Sequence, residues 1–426
     1  MKYKIAELCE INRKNISKKD DIEYINYLDT SNLIEGVIKE LKKFNIKTDK
    51  VPSRAKRLVK ENDILISTVR PNQKHYGIIR ELPENLVVST GFAVLTPDQQ
   101  KVYPEYLYRF LTQNHITEYL QSIAETSTSA YPSIKPSVIG DLEIDLPPLK
   151  VQKSIADIFL IIDKKIMINN KINNIIEELA KAIYEHWFID FEFPNENGEP
   201  YYSNGGELVE SEVGLIPKSW RVIKLEEIAN IYSGYSYKGR ELTESEDAMI
   251  TIKNFDTNGN FKLDGYKEIS LSERVKEHHF AKEFDIIVAH TDLTQKAEII
   301  GNPILIFTKN RYKRLIYSMD TVKVVPKKEI YRFFIFNQLK NSRFKNFALS
   351  YSSGTTVLHL SKKALPNFKI AMPHCDEIIH EFDKIVRKIY EMIKNNYEMN
   401  QKLEEIRNLI LPKLMSGEIR VPVESD

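Results

Sequence analysis

Apolar side chains recur at every seventh position in two long stretches of this chain. In both stretches, the middle member of the series is an asparagine. The first series is Ile155, Ile162, Asn169, Ile176 and Ile183, and the second is Phe382, Ile389, Asn396, Leu403 and Ile410. An apolar seam with this period is typical of coiled coils. The pattern therefore predicts two long helices, at about 150–187 and 375–411, each packed on the other.

A second row of seam residues is expected three positions after each member of the first. This row is Ile158, Lys165, Ile172, Leu179 and His186 in one helix, and Ile385, Met392, Met399 and Ile406 in the other. If the helices run antiparallel, Asn169 and Asn396 both lie near the middle of the pair. A buried polar pair there would fix the register at some cost in stability. The alternative is that each asparagine points into solvent at a local break.

The regions that precede the two helices repeat each other. Residues 60–66 read KENDILI and residues 282–288 read KEFDIIV, an offset of 222, while Ser89 and Pro97 recur as Ser318 and Pro326, an offset of 229. Apolar runs predict strands at 63–69, 86–95, 142–147, 248–255, 284–290, 302–307 and 320–325. Helical spacing predicts further helices at 104–123 and 329–348. Each copy is thus a strand-rich domain followed by one long helix.

The predicted fold class is α+β, with two repeated, strand-rich α/β domains separated by two long antiparallel coiled-coil helices in a pseudo-two-fold arrangement. The first domain covers 1–146 and ends at Pro147-Pro148, and its helix covers 147–190. An acidic connector covers 191–219, next to a short hairpin expected at 188–200. The second domain covers 220–372. The second helix and a C-terminal segment cover 373–426, and Pro412 is expected to stop or kink that helix.

Charge is unevenly distributed, although the net charge is only +1. Residues 39–60 carry nine Lys or Arg side chains and two acids, whereas residues 188–217 carry seven acids and no base. This polarity predicts one face for a polyanion and another face turned away from it. The alternative for the basic run is an ordinary solvated loop.

Motifs that carry catalysis are missing from the sequence. It has no Gly-x-x-x-x-Gly-Lys loop, no His-Glu-x-x-His, no Cys-x-x-Cys and no Gly-x-Gly-x-x-Gly. Two cysteines, Cys9 and Cys375, give neither a disulfide framework nor a metal cluster, and the adjacent His278-His279 would diverge too much for a metal site. Neither a signal-peptide core nor an apolar run of ~18 residues is present. The sequence predicts a non-enzymatic, cytoplasmic, soluble protein.

Three kinds of segment carry side chains suited to nucleic acid. Phosphate contact is expected from the basic residues Lys42, Lys43, Lys47, Arg54, Lys56 and Arg57 in one copy and Arg311, Lys313 and Arg314 in the other. Base reading is expected from loops that follow a strand, at Arg70, Asn72, Gln73 and Lys74 and at Thr291, Asp292, Gln295 and Lys296. Hydroxyl-rich loops offer Ser127, Thr128, Ser129 and Tyr131, and Ser353, Thr355 and Thr356, while Tyr235, Ser236 and Lys238 complete the set.

Ordinary explanations exist for these loops as well. The two reading loops differ in sequence, although the strands beside them agree. Recognition of two different half-sites requires such a difference. Neutral drift of the loop sequences would explain it equally well for any single residue. Hydroxyl-rich loops are also common in turns.

Longer stretches carry a family resemblance over essentially the full length. They are LPPLKVQKSIADIF (146–159), the central ELAKAIYEHWFIDFEFPNENGEPYYSNGGELVESEVGLIPKSW (178–220) and the ending LEEIRNLILPKLMSGEIRV (403–421). With the doubled domain-plus-helix layout, they resemble the specificity (S) subunit of type I restriction–modification enzymes. The second copy departs from this pattern, because it reads MPHCDEIIHEFDKIV where the first has LPPL-x-x-Q.

The resemblance implies two target-recognition domains that each read one half of a bipartite DNA sequence, with the helix pair as spacer. It implies no catalysis and no cofactor on this chain. Two modification subunits, which bind S-adenosylmethionine and methylate adenine, would dock on the exposed helix faces near the acidic connector. ATP- and Mg-dependent restriction subunits would join through them.

Two other functions stay open at this point. A free-standing methyltransferase or nuclease conflicts with the missing base-gripping and cofactor motifs. A coiled-coil interaction scaffold with no DNA role fits the helices, and salt-sensitive DNA binding would separate it from a specificity subunit.

Overall fold

The chain forms two compact units. The computed structural model describes residues 1–17, 20, 22–127, 131–257, 259–293 and 296–422. Unit 1 comprises Met1–Lys164 together with the chain from Leu403 onwards, and unit 2 comprises Lys165–Lys402. Each unit therefore holds one strand-rich part and a segment of both long helices. The domain boundaries given above stay predictions.

Unit 1 begins with short strands that alternate with turns. The strands are β1 (Lys2–Lys4), β2 (Cys9–Ile11), β3 (Tyr24–Leu28), β4 (Leu33–Ile34), β5 (Val37–Ile38), β6 (Lys42–Asn45), β7 (Ala55–Leu58), β8 (Ile64–Ser67), β9 (Tyr76–Ile78), β10 (Leu86–Ser89), β11 (Phe92–Pro97) and β12 (Glu143–Asp145). The helices are α1 (Ile5–Leu8), α2 (Pro104–Leu111), α3 (Asn114–Glu125) and α4 (Pro136–Gly140), followed by the long α5 (Leu149–Phe188), which continues into unit 2.

Unit 2 repeats this order after a hairpin. The strands are β13 (Leu208–Ser211), β14 (Gly214–Pro217), β15 (Trp220–Lys224), β16 (Ala229–Ser233), β17 (Asp247–Ile250), β18 (Lys267–Glu268), β19 (Phe280–Ala281), β20 (Ile286–Ala289), β21 (Thr291–Asp292), β22 (Pro303–Leu305), β23 (Arg314–Tyr317), β24 (Thr321–Pro326), β25 (Ser352–Ser353), β26 (Leu358–Leu360) and β27 (Lys369–Pro373). The helices are α6 (Leu225–Ile228), α7 (Arg332–Lys340), α8 (Ser342–Ser350), α9 (Ala364–Asn367) and the long α10 (Glu377–Met415).

The sheets of the two units have the same strand orders. In unit 1, β6-β3-β10-β7 and β2-β11-β8-β9 form two four-stranded sheets, and in unit 2 the matching sheets are β18-β17-β23-β19 and β16-β24-β20-β22. The parallel pair β3–β10 of unit 1 has its counterpart in the parallel pair β17–β23 of unit 2. The register also agrees, because Leu58 lies opposite Val87 and Phe280 lies opposite Ile316. The duplication and the α+β fold class predicted from the sequence are confirmed.

Each predicted helix inside the domains is divided in two. In unit 1, α2 ends at Leu111, and the Thr112 hydroxyl donates to the carbonyl of Tyr108 at 2.9 Å. In unit 2, α7 ends at Lys340, and the Asn341 side chain accepts the N–H of Arg343 at 2.9 Å as an N-cap. Short polar side chains compete with the helical hydrogen bonds at these positions, so they end one helix and begin the next.

The start of each long helix is tied to its own domain by one polar side chain. In unit 1, Gln152 accepts the N–H of Tyr103 at 2.8 Å and donates to the carbonyl of Pro147 at 2.8 Å. In unit 2, Asp376 accepts the hydroxyl of Tyr331 at 2.6 Å and pairs with Lys328 at 2.5 Å. The second copy thus departs from the LPPL-x-x-Q pattern while keeping a polar tie at the same place.

Only the first of the two predicted seam rows is correct. In unit 2, Phe382 and Ile389 are buried, but Leu179, Ile385 and Met392 are exposed. The second buried row lies four positions after the first instead of three, and its members are Asn173, Ala180, Trp187, Val386, Ile393 and Asn400. A seam alternates steps of three and four, so one row alone does not decide which step comes first.

The same shift is visible within unit 1. On α5, Ile155 and Ile162 are buried together with Phe159, which lies four positions after Ile155. On α10, Ile406 is exposed whereas Leu414 is buried. The α10 helix also continues past Pro412 and ends at Met415, so this proline does not stop the helix, and the alternative, a kink, stays a prediction.

Asparagine side chains form a hydrogen-bonded layer between α5 and α10 in unit 2. Asn169 donates to Asn400 at 2.7 Å, and Asn396 donates to Asn173 at 2.7 Å. A step of four residues forward on α5 is therefore matched by four residues back on α10, which makes the pair antiparallel. Asn169 is 1% exposed, so the solvent alternative is wrong for it. Asn169 and Asn396 pair with other asparagines and not with each other.

The connector contains the short hairpin expected at 188–200. Pro194 and Pro200 form an antiparallel bridge, Asn195 donates its N–H to the carbonyl of Glu199 at 2.8 Å, and Tyr201 donates its N–H to the carbonyl of Phe193 at 2.9 Å. Proline has no N–H for a ladder bond, so the pairing stays short. A second hairpin, β13–β14, follows it, with Glu210 opposite Leu215.

We expect Asn400→Ala to lower the free energy of unfolding by about 1–3 kcal/mol, because it leaves the buried Asn169 amide without its acceptor. Denaturant unfolding would measure this as a lower midpoint. Asn174→Ala, at an exposed position of α5, is the matched control and should change stability by less than about 0.5 kcal/mol. Equal effects of the two substitutions would show that the layer does not contribute.

Candidate nucleic-acid interface

The predicted reading loop of unit 1 is held in an uncommon backbone conformation. Arg70 and Lys74 flank a short 3-10 turn, Pro71–Gln73, and both have left-handed backbone angles, with φ of 48° and 55°. Left-handed backbone at a non-glycine residue costs on the order of 1 kcal/mol or more and concentrates at functional sites. The surrounding structure enforces it, because Arg70 donates its N–H to the carbonyl of Pro132 at 2.9 Å.

This loop exposes side chains of the types that can read base edges. The side chains of Arg70, Asn72 and Gln73 are exposed at the end of β8. Arginine suits the two acceptors of guanine, and an amide suits adenine. Helix α3 supports the loop, because the Gln121 side chain accepts the N–H of Asn72 at 3.2 Å. A cleft of about 300 Å³, lined in part by Lys74, lies between the loop and α3.

The hydroxyl-rich loop of unit 1 lies directly beside the reading loop. Val69 and Ser133 form a β-bridge, and the Arg70 guanidinium carbon is 5.0 Å from the centre of the Tyr131 ring. Tyr131 is 60% exposed, whereas Ser127 is half-buried. Two other predicted contacts, Thr128 and Ser129, lie outside the described residues. Two segments 60 residues apart in sequence thus form one continuous surface.

The basic run occupies both edges of one sheet in unit 1. Lys42 and Lys43 lie on edge strand β6, and Lys56 and Arg57 lie on the opposite edge strand, β7. Lys43 stands 3.8 Å above the Tyr24 ring. The expected phosphate contacts Lys42, Lys43, Lys47, Arg54 and Lys56 are all exposed.

Several cations of this run have no acidic partner. Within the described part of the chain, Arg54, Lys56 and Arg57 have no carboxylate oxygen within the 4.0 Å of an ion pair. Arg57 is half-buried, its Nε atom has no hydrogen-bond acceptor, and burial lowers the pKa of its guanidinium. A half-buried cation without a counter-ion suits contact with an anionic partner.

Sequence reasoning missed Arg13 and Lys14 on the same edge. The segment that contains them runs beside β7, with Asn15 bridged to Arg57 and the carbonyl of Lys14 accepting the N–H of Leu58 at 3.0 Å. Lys14 pairs with Asp20 at 2.6 Å, while Arg13 is exposed. The signal was available, since residues 13–19 read RKNISKK, but their sequence distance from β7 hid the proximity.

Unit 2 joins its reading and hydroxyl-rich segments in the same way. Strand β21, directly after β20, pairs with β26, which in turn pairs with β25. Thr291 lies opposite His359, so this pairing matches the Val69–Ser133 bridge of unit 1. The side chains of Lys296, Ser353, Thr355 and Thr356 are exposed, and Gln295 lies outside the described residues.

The carboxylate of Asp292 is hydrogen-bonded within this loop and does not face outwards. It is 0% exposed and accepts the N–H groups of Ile299 and Ile300 at 2.7 and 3.2 Å. Lys345 of α8 donates to the carbonyl of Ile300 at 2.7 Å. The expectation that Asp292 reads a base is therefore corrected, and the neighbouring Thr291 is also buried. A carboxylate that bonds its own loop looks the same in sequence as one that faces a ligand.

Tyr235 is likewise buried instead of facing outwards. It is 3% exposed, and its hydroxyl contacts Glu241 and Ser272, both at 2.8 Å, and accepts from Arg274 at 2.8 Å. The pKa of Glu241 is lowered to about 2, first by the backbone N–H of Lys238 and then by these side chains. The predicted contacts Ser236 and Lys238 nearby are exposed, whereas the expectation for Tyr235 is corrected.

The basic cluster expected in unit 2 is neutralised. Arg311 pairs with Glu268 at 2.7 Å, and Lys313 pairs with Glu246 at 2.5 Å. Arg314 makes two bonds to Asp247, at 2.9 and 2.6 Å. Their partners lie more than 40 residues earlier, so the sequence shows only the cations. The parallel drawn between this cluster and the basic run of unit 1 is corrected.

Among the described residues, His, Cys, Asp and Glu do not gather in a group of three or more that could hold a metal ion. In the same part of the chain, every helix is too short or too polar to cross a membrane.

Comparison with known proteins gives a consistent result. The family model for the type I restriction modification DNA specificity domain matches residues 1–178 and 217–408. The HindI specificity subunit of Haemophilus influenzae is 27% identical over 462 residues, covering 98% of this chain and 99% of that protein. The MjaIX specificity subunit of Methanocaldococcus jannaschii is 27% identical over 381 residues, covering 88% of this chain and 82% of that protein.

A solved structure agrees in fold. The crystal structure of the S subunit of a type I restriction–modification system from M. genitalium matches with a TM-score of 0.51 and 16% identity, covering 97% of this chain and 95% of that one. Because the two family-model matches together cover most of the sequence, the chain belongs to the type I restriction–modification DNA specificity family.

Proposed function

We propose that each unit of this chain reads one half of a bipartite DNA sequence and that the two long helices set the spacing between the halves. Membership of the specificity family makes the chain the DNA-recognition subunit of a type I restriction–modification system, and a non-catalytic component of it. The observation that carries the proposal is the repeated surface in which a loop after a strand lies beside a hydroxyl-rich segment. It occurs once in each unit.

The two surfaces differ in their side chains while their frameworks agree. Unit 1 presents Arg70, Asn72 and Gln73, and unit 2 presents Lys296 with the hydroxyl groups of Ser353 and Thr355. Two different surfaces on one repeated framework suit two different half-sites. The unpaired cations near β7 would contact phosphates, which position the protein without specifying sequence.

The exposed row of apolar residues on the long helices supports docking of modification subunits. In unit 2, Ile168 and Ile175 of α5 and Met392 and Met399 of α10 are exposed at heptad spacing. Apolar rows of this kind mark protein interfaces, and heptad spacing suits partner helices. Two modification subunits would bind here, with the acidic connector beside them and away from the DNA.

The chemistry of the complex would belong to those partners. Adenine has to leave the base stack before it can be methylated. The modification subunits would hold S-adenosylmethionine, and restriction subunits would use ATP and Mg²⁺, while this chain selects and positions the duplex. Such an assembly would act on the cell's own DNA, in the cytoplasm.

Methylome sequencing tests the function directly. A strain that expresses this chain with its modification subunits should carry adenine methylation in a two-part motif with a fixed gap. Deletion of this gene alone should remove that motif. Exchange of residues 1–146 with those of another family member should change one half of the motif only. An unchanged methylome, with the complex shown to assemble, would contradict the proposal.

Reading and positioning residues should behave differently. Asparagine tolerates the left-handed backbone, so Arg70→Asn keeps the loop and removes only the guanidinium. We expect this substitution to lower the discrimination between bases at one position of the motif by about 1–3 kcal/mol. Lys56→Ala should weaken binding to all sequences and reduce the slope of log affinity against log salt by about one. Lys101→Ala, at an exposed cation that pairs with Asp98, is the control.

Charge on the apolar row should block assembly. Ile175 is 69% exposed, so Ile175→Glu should leave the chain folded and weaken its complex with the modification subunits by at least about tenfold. Co-purification and mass measurement of the complex would show this. Asn174→Glu introduces the same charge next to it on a different face of α5 and should assemble normally. If both variants assemble equally well, the row is not the docking site.

A further inference from the structure

The two units present different chemistry at the same sheet edge. Lys56 and Arg57 directly precede Leu58, which lies opposite Val87 in unit 1. His278 and His279 directly precede Phe280, which lies opposite the equivalent Ile316 in unit 2. The offset of 222 that relates KENDILI to KEFDIIV relates these pairs as well. The histidine pair therefore corresponds in position to the cationic pair, although it lies in a 3-10 turn directly before β19 and not within the strand.

The two histidines lie in an aromatic cluster within unit 2. The His278 ring is stacked on Tyr232 with centroids 5.6 Å apart and an angle of 23° between the planes. The His279 ring is 4.2 Å from His278 and 5.4 Å from Tyr235. Tyr232 is 37% exposed, so one side of the cluster faces solvent. Within the described residues, no carboxylate pairs with either imidazole.

Backbone hydrogen bonding fixes the proton arrangement of His279. Lys276 donates its N–H to Nδ1 of His279 at 3.0 Å, which closes the short 3-10 turn Glu277–His279. Since Nδ1 accepts, the hydrogen of the neutral ring is on Nε2. Burial lowers the pKa of His279, and the charges of His278, Lys276 and Lys323 lower it further. The ring is thus kept as a neutral donor.

The histidine pair removes two permanent charges that unit 1 has at these positions. Nearby, the guanidinium of Arg274 pairs with Glu241 at 3.0 Å, and Lys323 pairs with the buried Asp285 at 3.6 Å. Lys276, the counterpart of Arg54, is exposed. Among the described residues of unit 1, Arg54, Lys56 and Arg57 near β7 lack an acidic partner.

We propose that the His278–His279 edge of unit 2 is a DNA-backbone contact that replaces the Lys56–Arg57 pair of unit 1 and holds phosphate through a neutral imidazole N–H. This inference rests on the proposed function, because it assigns a role within DNA binding. A neutral donor releases no counter-ion when it meets a phosphate, whereas each lysine or arginine does. The two units therefore share a contact position that adds to the salt dependence of binding in unit 1 but not in unit 2.

Reciprocal exchange of the two pairs tests this. The sample is the full chain assembled with its modification subunits, and the probe is a duplex that carries the motif found by methylome sequencing. Affinity would be measured at about pH 8, where an ordinary imidazole is neutral, from about 50 to about 300 mM salt. His278→Lys with His279→Arg should make the slope of log affinity against log salt steeper by about one to two. Lys56→His with Arg57→His should make it shallower by about the same amount.

A loss-of-contact variant completes the experiment. His278→Ala with His279→Ala should bind about tenfold more weakly at low salt, with an unchanged slope, because a hydrogen bond to a charged group is lost. Since His279 closes a turn, the single His278→Lys is a second variant that keeps this turn, and it should steepen the slope by about one. Thermal unfolding of each complex would show that the fold is retained.

The outcomes separate this inference from the function. If the wild-type complex does not prefer its motif over a scrambled duplex, the proposed function fails. If it does, but the lysine and arginine gains at 278 and 279 leave the slope unchanged, the edge does not meet DNA and only the inference is overturned. Unchanged affinity of the double alanine variant would overturn it as well.

Discussion

Hydrogen bonds between buried asparagines decide how the two long helices align in unit 2. An apolar seam that repeats every seven residues keeps most of its buried area when one helix slips by a heptad, so burial alone leaves several registers possible. A slip would place the amides of Asn169 and Asn400 against apolar neighbours, at about 1–3 kcal/mol for each buried group. The same register determines which turn of α10 meets the domain, where Tyr390 stacks on Phe333 at 4.8 Å. These amides therefore help to fix which turn of α5 faces a given turn of α10.

The long helices of unit 2 have three apolar rows. This explains why the heptad pattern predicted one seam row correctly and the other wrongly. One row meets the other helix, and the row four positions later is shared between that helix and the domain, as Val386 and Ile393 show. The row three positions later, which includes Met392 and Met399, is left uncovered. A helix that only formed a coiled-coil pair would need no such row. On α10, the residues wrongly assigned to the seam are thus those that remain for a partner.

The sequence predicted the structure correctly where a pattern repeats. It failed where two interacting residues are far apart along the chain. The duplicated strands, the long helices and the equivalent positions of the reading loops in the two copies follow from periodicity and from the offset between copies. The pairing of Arg314 with Asp247, 67 positions apart, has no local signal, so a neutralised arginine resembled a free one. Asp292 was also misjudged, since the donors to its carboxylate are backbone N–H groups of its own loop, which give no signal in the sequence. Splitting of the domain helix at Asn341 depended on one capping bond that competes with strong helical spacing.

Each unit supports its reading loop by local means, and this separates specificity from the fold. Unit 1 holds left-handed backbone at Arg70 through bonds to the neighbouring hydroxyl-rich loop. Unit 2 uses the buried Asp292 carboxylate and the Lys345 ammonium to tie its loop together. Neither set of bonds involves the ladders of the four-stranded sheets, whose strand orders are the same in both units. Because loop support and sheet pairing use different groups, the side chains proposed to face DNA can differ without altering the strand framework that carries them.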